Sequence, residues 1–163
     1  MIETLKKMVA NLSADYFDLR YETKRSERVA MNKKEVRAFE QNTGDGYVLR
    51  VLKNGGFASV CFTKPEQAEL AVRKALENAE GLSRHQSQSK SLAKTPKVVA
   101  QVKANLIQDP REVSLEEKLS LVRHYSDLLF AQPKVANVEI GYADVIRNKF
   151  FINSEGSEIN EEL

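Results

Sequence analysis

The sequence has few residues of the kinds that cross-link chains or bind transition metals. Its single cysteine, Cys61, cannot form an internal disulfide, so nothing indicates an oxidising compartment. Neither of its two histidines, His85 and His124, has another histidine or cysteine three or four residues away. Zinc sites are typically built on such local spacing, so we expect no metal site within this chain. We expect His85 in a solvated loop and His124 at the edge of a helix's buried stripe.

Long apolar segments are also missing. The N-terminus is charged from its third residue, and no run of about 18 apolar residues occurs, which argues against a signal peptide or a membrane span. The charges nearly cancel, with 25 Lys and Arg against 23 Asp and Glu. This balance indicates neither a nucleic-acid nor a membrane partner. We therefore expect a cytoplasmic protein with no membrane contact.

Motifs for catalysis or cofactor binding are absent as well. There is no Gly-x-Ser-x-Gly elbow and no phosphate-binding Gly-x-x-x-x-Gly-Lys pattern. Residues 44–46 begin like a dinucleotide fingerprint, but Leu49 replaces the last glycine and a strand follows. Cys61 lacks a local histidine that would activate it, so a buried or half-buried structural thiol is expected. The basic stretch 24–37 contains acids and lacks stacking aromatics, which favours a solvated surface. We predict no catalytic, cofactor-binding or metal residue.

The hydrophobic residues, 42% of the chain, lie in patterns that predict an α+β domain. Apolar spacing predicts a helix over residues 2–12. Alternating segments between residues 17 and 62 predict about five strands in an antiparallel meander, with turns at 33–34 and 54–56. An alanine-rich helix follows, with a Thr63/Glu66 capping box at its start and Gly81 as its stop.

The second half predicts further helical and β structure after a polar, mobile loop at residues 83–97. Ser114 and Glu117 form a capping box that opens a helix ending near Phe130. Its predicted buried stripe comprises Leu115, Leu119, Val122, Tyr125 and Leu129. A second β region then covers residues 137–145 and 149–152, with a turn at 153–156 and a strand from 157.

We predict one domain, in which residues 1–82 form a first unit and residues 98–163 complete it after the loop. Two interpretations of the end at residue 163 remain open. It is either a frayed acidic tail or a truncation point within a longer polypeptide.

Several motifs, in this order, resemble the TldD/PmbA proteins, also called modulators of DNA gyrase. They are residues 14–20, 45–52, 56–59, the alanine-rich helix 65–80, 142–144 and 153–156. The residues that carry the motifs, which we expect to be structural, are Gly46, Arg50, Gly56, Phe57, Ala58, Asn153, Ser154, Glu155 and Gly156. No single motif is very specific, but their order and spacing together are.

The resemblance implies a family of zinc metallopeptidases that process peptides and act as dimers, some of two related subunits. In that family the zinc site lies in a His-Glu-x-x-x-His-type segment, which this sequence lacks. The resemblance thus implies an amino-terminal domain that shapes the substrate cleft or a subunit interface, and that is inactive alone. Its expected partners are a peptide substrate and a related subunit, and zinc is expected only in the missing catalytic part.

Other roles stay open. The alternative function is a free-standing protein-interaction module, and a nucleic-acid binder is a third, disfavoured hypothesis. Exposed strand edges are suited to binding an extended peptide or a partner strand. Arg50 either pairs with a ligand carboxylate or makes a structural salt bridge.

Overall fold

The computed structural model describes residues 1–85, 88 and 90–163. The described residues form three α-helices, six strands and two short 3-10 helices, which confirms the predicted α+β class. In chain order the helices and strands are α1 (Ile2–Met8), β1 (Tyr16–Asn32), β2 (Glu35–Lys53), β3 (Gly56–Phe62), α2 (Ala68–His85), β4 (Val99–Lys103), α3 (Leu115–Phe130), β5 (Glu139–Asn153) and β6 (Glu158–Glu162). None of the described helices is long and apolar enough to cross a membrane.

The six strands lie in the order β3-β2-β1-β5-β6-β4. β2 pairs with β3, and β5 with β6, in antiparallel fashion, whereas β4 pairs with β6 in parallel. The sheet is therefore mixed rather than a purely antiparallel meander. No strand was predicted at the position of β4, and β6, which the sequence analysis predicts as a strand from residue 157, pairs with β5 on one side and β4 on the other.

The strands of the first half are fewer and longer than predicted. Three strands replace the expected five, because β1 and β2 continue through the positions that we interpreted as breaks. Gly44 and Gly46 lie within β2 and have no positive φ, so they form no turn there. A glycine inside a strand weakens it without ending it.

Both predicted hairpin turns are confirmed. Asn54 and Gly55 have φ values of 50° and 80°, as a two-residue type I′ turn between β2 and β3 requires. Lys33, at φ 54°, lies between β1 and β2. Each turn joins its strands without a longer loop.

The start and end of α2 differ from the prediction. The side-chain oxygen of Gln67 accepts hydrogen bonds from the backbone N–H groups of Thr63 and Lys64, at 3.2 and 3.1 Å. Glu66 lies in a short 3-10 turn opened by Pro65, which moves the start of α2 to Ala68. The helix also continues past Gly81 to His85. Residues 86, 87 and 89 of the predicted loop lie outside the described residues.

The chain divides into two compact units, of which unit 1 comprises Met1–Thr23, Asp45–Lys103 and Arg147–Glu162. In its core, the alanine face of α2 packs on the apolar face of the strands. The ring of Tyr47 packs against Tyr21 in a tilted arrangement and stacks on Phe62, with ring centroids 4.5 and 4.7 Å apart. The fully buried members of this core include Leu5, Leu19, Leu49, Val51, Ala75 and Ala79.

Unit 2 comprises Lys24–Gly44, Ala104–Ile146 and Leu163. Its core is smaller and centres on three buried residues, Val29, Met31 and Val122. The predicted stripe of α3 is wrong at its C-terminal end, where Tyr125 and Leu129 are 50% and 45% exposed.

The buried face of α3 differs from the predicted stripe because it includes two polar residues, Lys118 and Ser126, beside Val122. The hydroxyl of Ser126 donates to the carbonyl oxygen of Lys33 at 3.0 Å. The capping box at the start of α3 is confirmed, since the N–H of Glu117 donates to the hydroxyl oxygen of Ser114 and the Glu117 carboxylate accepts from the Ser114 N–H.

Replacing Gly56 with alanine should strongly destabilise unit 1. A Cβ at this position would lie 1.9 Å from the carbonyl oxygen of Ala79 and 2.7 Å from the backbone nitrogen of Ser83. Because both obstacles are backbone atoms, β3 and α2 must separate to admit the methyl group. We expect Gly56→Ala to lower the free energy of unfolding by about 3 kcal/mol in urea denaturation.

The matched control is Gly44→Ala, where no atom lies within 4 Å of the new Cβ. It should change the free energy of unfolding by about 0.5 kcal/mol or less. Equal effects of the two substitutions would contradict the close approach of β3 to α2.

Candidate functional site

Side chains along β1 alternate between the two faces of the sheet. Leu19 and Tyr21 belong to the apolar core of unit 1, so Asp18, Arg20 and Glu22 project from the opposite face. Two further arginines of unit 1 form ion pairs with the carboxylates of these residues, Arg50 with Asp18 and Arg147 with Glu22. We call the set Asp18, Arg20, Glu22, Arg50 and Arg147 the charged face.

Asp18 and Arg50 form the most complete ion pair of the charged face. Asp18 is 1% exposed, and Arg50 Nε lies 2.9 Å from each of its carboxylate oxygens. Arg50 Nη2 lies 2.7 Å from Asp18 Oδ2, and the hydroxyl of Tyr16 donates to the same oxygen at 3.2 Å. The hydrogen bond with Asp18 raises the pKa of Arg50 above its usual value. Of the two roles left open for Arg50, the structure contains the salt bridge.

The other end of the charged face is looser. Arg147 Nε lies 3.4 Å from Glu22 Oε1, which is within ion-pair range, but its N–H is not aligned as a hydrogen bond. Arg20 lies between the two pairs on β1, and within the described part of the chain it has no hydrogen-bond or ion-pair partner. Three arginines therefore share two carboxylates, and one positive charge is left over.

The Asn-Ser-Glu-Gly motif forms the turn between β5 and β6, and its contacts build that turn. Asn153 Oδ1 accepts from the N–H of Ser157 at 2.8 Å. Ser154 exchanges two bonds with the backbone of Phe17, of 2.9 and 3.1 Å. Gly156 adopts a φ of +87°, a conformation that favours glycine. Glu155 accepts from the hydroxyl of Thr95 at 3.3 Å.

The remaining motif residues lie around the hairpin of β2 and β3. Gly46 and Arg50 belong to β2, and Arg50 is paired across the sheet with Ser59. Gly56 and Phe57 open β3, and Ala58 is buried in the core of unit 1. The motif residues thus occupy a hairpin and a turn rather than one cluster.

A groove of about 280 Å³ lies beside α1 in unit 1. Val9, Leu12, Phe17 and Ile152 give it apolar walls, and Lys6 and Glu158 lie at its edge, 2.9 Å apart. Because Lys6 and Glu158 pair with each other, neither charge is free to bind an ionic ligand in the groove.

A second charged cluster lies in unit 2, around a buried lysine. Lys118 is 1% exposed, and its Nζ lies 2.5 Å from Glu27 Oε2 and 2.8 Å from Asp144 Oδ2. Nζ also donates to the carbonyl oxygen of Pro110 at 2.8 Å. Arg25 Nη2 lies 2.5 Å from the other oxygen of Glu27. Two cations thus face two carboxylates, and α3 is tied to both β1 and β5.

The electrostatics of this cluster favour the charged forms of Lys118 and Glu27. Burial lowers the pKa of Lys118, but hydrogen bonds to Asp144 and Glu27 outweigh it and hold the pKa above the ordinary amine value. Hydrogen bonds from Lys118 and Arg25 lower the pKa of Glu27. Burial, followed by the hydrogen bond to Asp144, raises the pKa of Tyr142. A lysine held protonated in this way donates hydrogen bonds and does not act as a base.

The sequence-based candidates for chemistry are dispersed. Cys61 is exposed, so the expectation of a buried or half-buried thiol is wrong, because β3 is an edge strand and Cys61 lies opposite its core face. His85 and His124 are exposed on α2 and α3. Among the described residues, no three His, Cys, Asp or Glu side chains are grouped to hold a metal ion. The His, Cys, Asp and Glu side chains of the described residues therefore do not fit a zinc site.

Comparison with known proteins identifies the family. The sequence profile of PmbA/TldA metallopeptidase domain 1 matches residues 17–80, and that of the central domain matches residues 108–163. The chain belongs to the PmbA/TldD metallopeptidase family. The resemblance read from the motifs is thereby confirmed.

Relatives in this family are longer than this chain. A metalloprotease of Synechocystis sp. is 26% identical over 151 residues, which are 91% of this chain and 32% of the relative. A metalloprotease of Methanocaldococcus jannaschii is 26% identical over 166 residues, covering 99% of this chain and 36% of the relative. The chain therefore spans about a third of the length of these relatives.

Solved structures share the fold. A candidate modulator of a DNA gyrase from Thermotoga maritima aligns with a TM-score of 0.74 at 13% identity, over 99% of this chain and 37% of that chain. TldE from Thermococcus kodakarensis aligns with a TM-score of 0.68 at 17% identity, over 99% of this chain and 35% of that chain. At such low identity these likenesses concern the fold alone.

Replacing Arg50 with methionine should destabilise unit 1, because it leaves the buried Asp18 carboxylate with only the Tyr16 hydroxyl. We expect the free energy of unfolding to fall by about 2 kcal/mol. The double variant Asp18→Asn/Arg50→Met should lose less than Arg50→Met alone, since no unpaired charge remains. Urea denaturation of the two variants and of exposed Arg73→Met as control measures this. A double variant that is no more stable than Arg50→Met would contradict the coupling.

Replacing Lys118 with methionine should destabilise unit 2 by about 3–5 kcal/mol at neutral pH, because the buried Glu27 and the partly buried Asp144 lose their shared cation. The matched control, Lys74→Met, changes an exposed lysine of α2 and should cost about 0.5 kcal/mol or less. Chemical denaturation of both variants tests the difference.

Acid provides a second measurement on the same cluster. The folded-state pKa of Glu27 is lowered, so its contribution to stability is present above the ordinary glutamate pKa of 4.5 and is lost as the pH falls through the folded-state pKa. Lys118→Met removes the main cause of that shift. The variant should therefore lose less stability than the parent between neutral and acid pH. An unchanged acid dependence would show that Lys118 does not stabilise the Glu27 carboxylate.

Proposed function

We propose that this chain is the amino-terminal, non-catalytic part of a PmbA/TldD metallopeptidase, where it shapes the substrate cleft or a subunit interface for peptide processing. The observation that carries the proposal is the pair of matches to the first and central domains of the family, over a chain that spans about a third of its relatives. Zinc, in this proposal, is bound by the rest of the enzyme.

The contacts of the charged residues support a scaffold role. Arg50 and Asp18 neutralise each other in unit 1, and Lys118 is committed to Glu27 and Asp144 in unit 2. These groups stabilise the fold and are not free to transfer protons to a substrate. We further propose that the enzyme works in the cytoplasm, as a dimer with a second copy or a related subunit.

The second candidate is a free-standing protein-interaction module. The outer face of α3 favours it, because four large apolar side chains on that face are between 45% and 50% exposed: Leu121, Tyr125, Leu128 and Leu129. Apolar residues at this helical spacing are typical of a docking surface. The same surface would also serve a subunit contact within the metallopeptidase.

The native size of the polypeptide separates the two candidates. An antibody raised against residues 1–163 should detect, in an extract of the source cells, a polypeptide well above the 18.4 kDa of this chain. Immunoprecipitated long form should carry zinc and cleave peptides, whereas the 163-residue chain should bind no stoichiometric zinc and cleave none. Metal analysis and a peptidase assay on both forms measure this.

Two results would overturn the proposal. A native polypeptide of 18.4 kDa would favour the interaction module. One tightly bound zinc per 163-residue chain would show that the metal site lies within it.

A further inference from the structure

Arg20 is the arginine of the charged face that no carboxylate of the described residues pairs with. It lies in β1, between Asp18 and Glu22 on the same face. Its side chain is half-buried, and its Nε is fully buried with no hydrogen-bond partner. Among the described residues it forms no ion pair.

The neighbouring carboxylates do not neutralise Arg20. Both oxygens of Asp18 are engaged by Arg50 at 2.9 Å, and one also accepts from Tyr16. Glu22 lies 3.4 Å from Arg147 instead. Each carboxylate of the row is therefore paired with a different arginine, and Arg20 retains a full positive charge.

Such an arrangement is costly for the folded chain. A buried N–H without an acceptor costs about 1–3 kcal/mol, and partial desolvation of a guanidinium adds to that. If Arg20 only stabilised the fold, an internal acceptor would be expected within reach of its Nε. The terminal Nη groups of Arg20 also have no partner among the described residues and, unlike Nε, they are not buried, so an acceptor from outside can reach them.

We propose that Arg20 binds a carboxylate group of a ligand on the charged face of unit 1. A guanidinium presents its N–H groups in a planar fork that matches the two oxygens of a carboxylate. The single uncompensated charge of the charged face matches a monoanion. Asp18 and Glu22, on either side of Arg20, disfavour a doubly charged phosphate.

The test uses the Arg Nε–Hε signals of the ¹⁵N-labelled 163-residue chain in NMR titrations at constant ionic strength. Sodium acetate is the free carboxylate probe, and N-acetyl-Gly-Gly is the probe for a peptide carboxyl terminus. The uncharged N-acetyl-Gly-Gly amide controls for peptide binding without the carboxylate. The Arg20 signal should move saturably with both acids and stay fixed with the amide.

The two acids also identify the source of the carboxylate. Similar affinities indicate a small free carboxylate, and an affinity for N-acetyl-Gly-Gly at least roughly tenfold higher indicates a peptide carboxyl terminus. Either pattern supports the site. No saturable shift of Arg20 up to about 50 mM acetate or peptide acid would overturn it, as would tighter binding of inorganic phosphate.

Variants separate a binding role from a structural one. Arg20→Met should abolish the carboxylate response, monitored on the Nε–Hε signals of Arg50 and Arg147, while its melting temperature stays equal to or above that of the parent. Arg20→Lys, which keeps the charge without the fork, should weaken the response roughly tenfold. Exposed Arg73→Met is the matched control and should leave it unchanged. Equal loss in Arg73→Met, or a lowered melting temperature in both Arg20 variants, would contradict the proposal.

Discussion

Along β1, each side chain that points to one face of the sheet is followed by one that points to the other, and both compact units are built on this alternation. In unit 1, Leu19 enters the apolar core while Asp18 is buried on the opposite face. In unit 2, Val29 and Met31 form the small core, and Glu27 occupies the same face as these residues. A strand that buries charged residues on either face needs a cation at each of them, and Arg50 and Lys118 provide those cations.

These buried ion pairs contribute to the specificity of the fold more than to its net stability. Desolvation of two ions offsets much of their attraction, whereas removal of one partner leaves a charge that nothing compensates. Lys118 contacts carboxylates from both β1 and β5. A shift of α3 by one residue would therefore leave Glu27 and Asp144 without this cation. We therefore infer that the cluster favours one register of α3 in unit 2.

Local signals were predictable from the sequence, and long-range ones were not. The Asn54-Gly55 turn and the Ser114/Glu117 capping box depend on residues within four positions of each other, and both are confirmed. The burial of Lys118 depends on Glu27, 91 residues earlier, and a lone lysine on a helix is ordinarily solvated. β4 was missed for a related reason, because its parallel partner β6 lies far along the chain. The family motifs were recognisable because each is a short local run of residues, and their order along the chain can be read directly from the sequence.

The charged face illustrates the same limit at the level of function. Arg20 and Arg50 are both arginines in strands flanked by apolar residues, and alternation alone gives them equal standing. The structure separates them by one fact, the position of Asp18, which satisfies Arg50 and leaves Arg20 with a buried N–H that has no acceptor. A paired arginine is explained by the fold that it supports. An unpaired, half-buried arginine costs the fold free energy, and this cost is the reason to propose that an acceptor from outside the described chain binds Arg20.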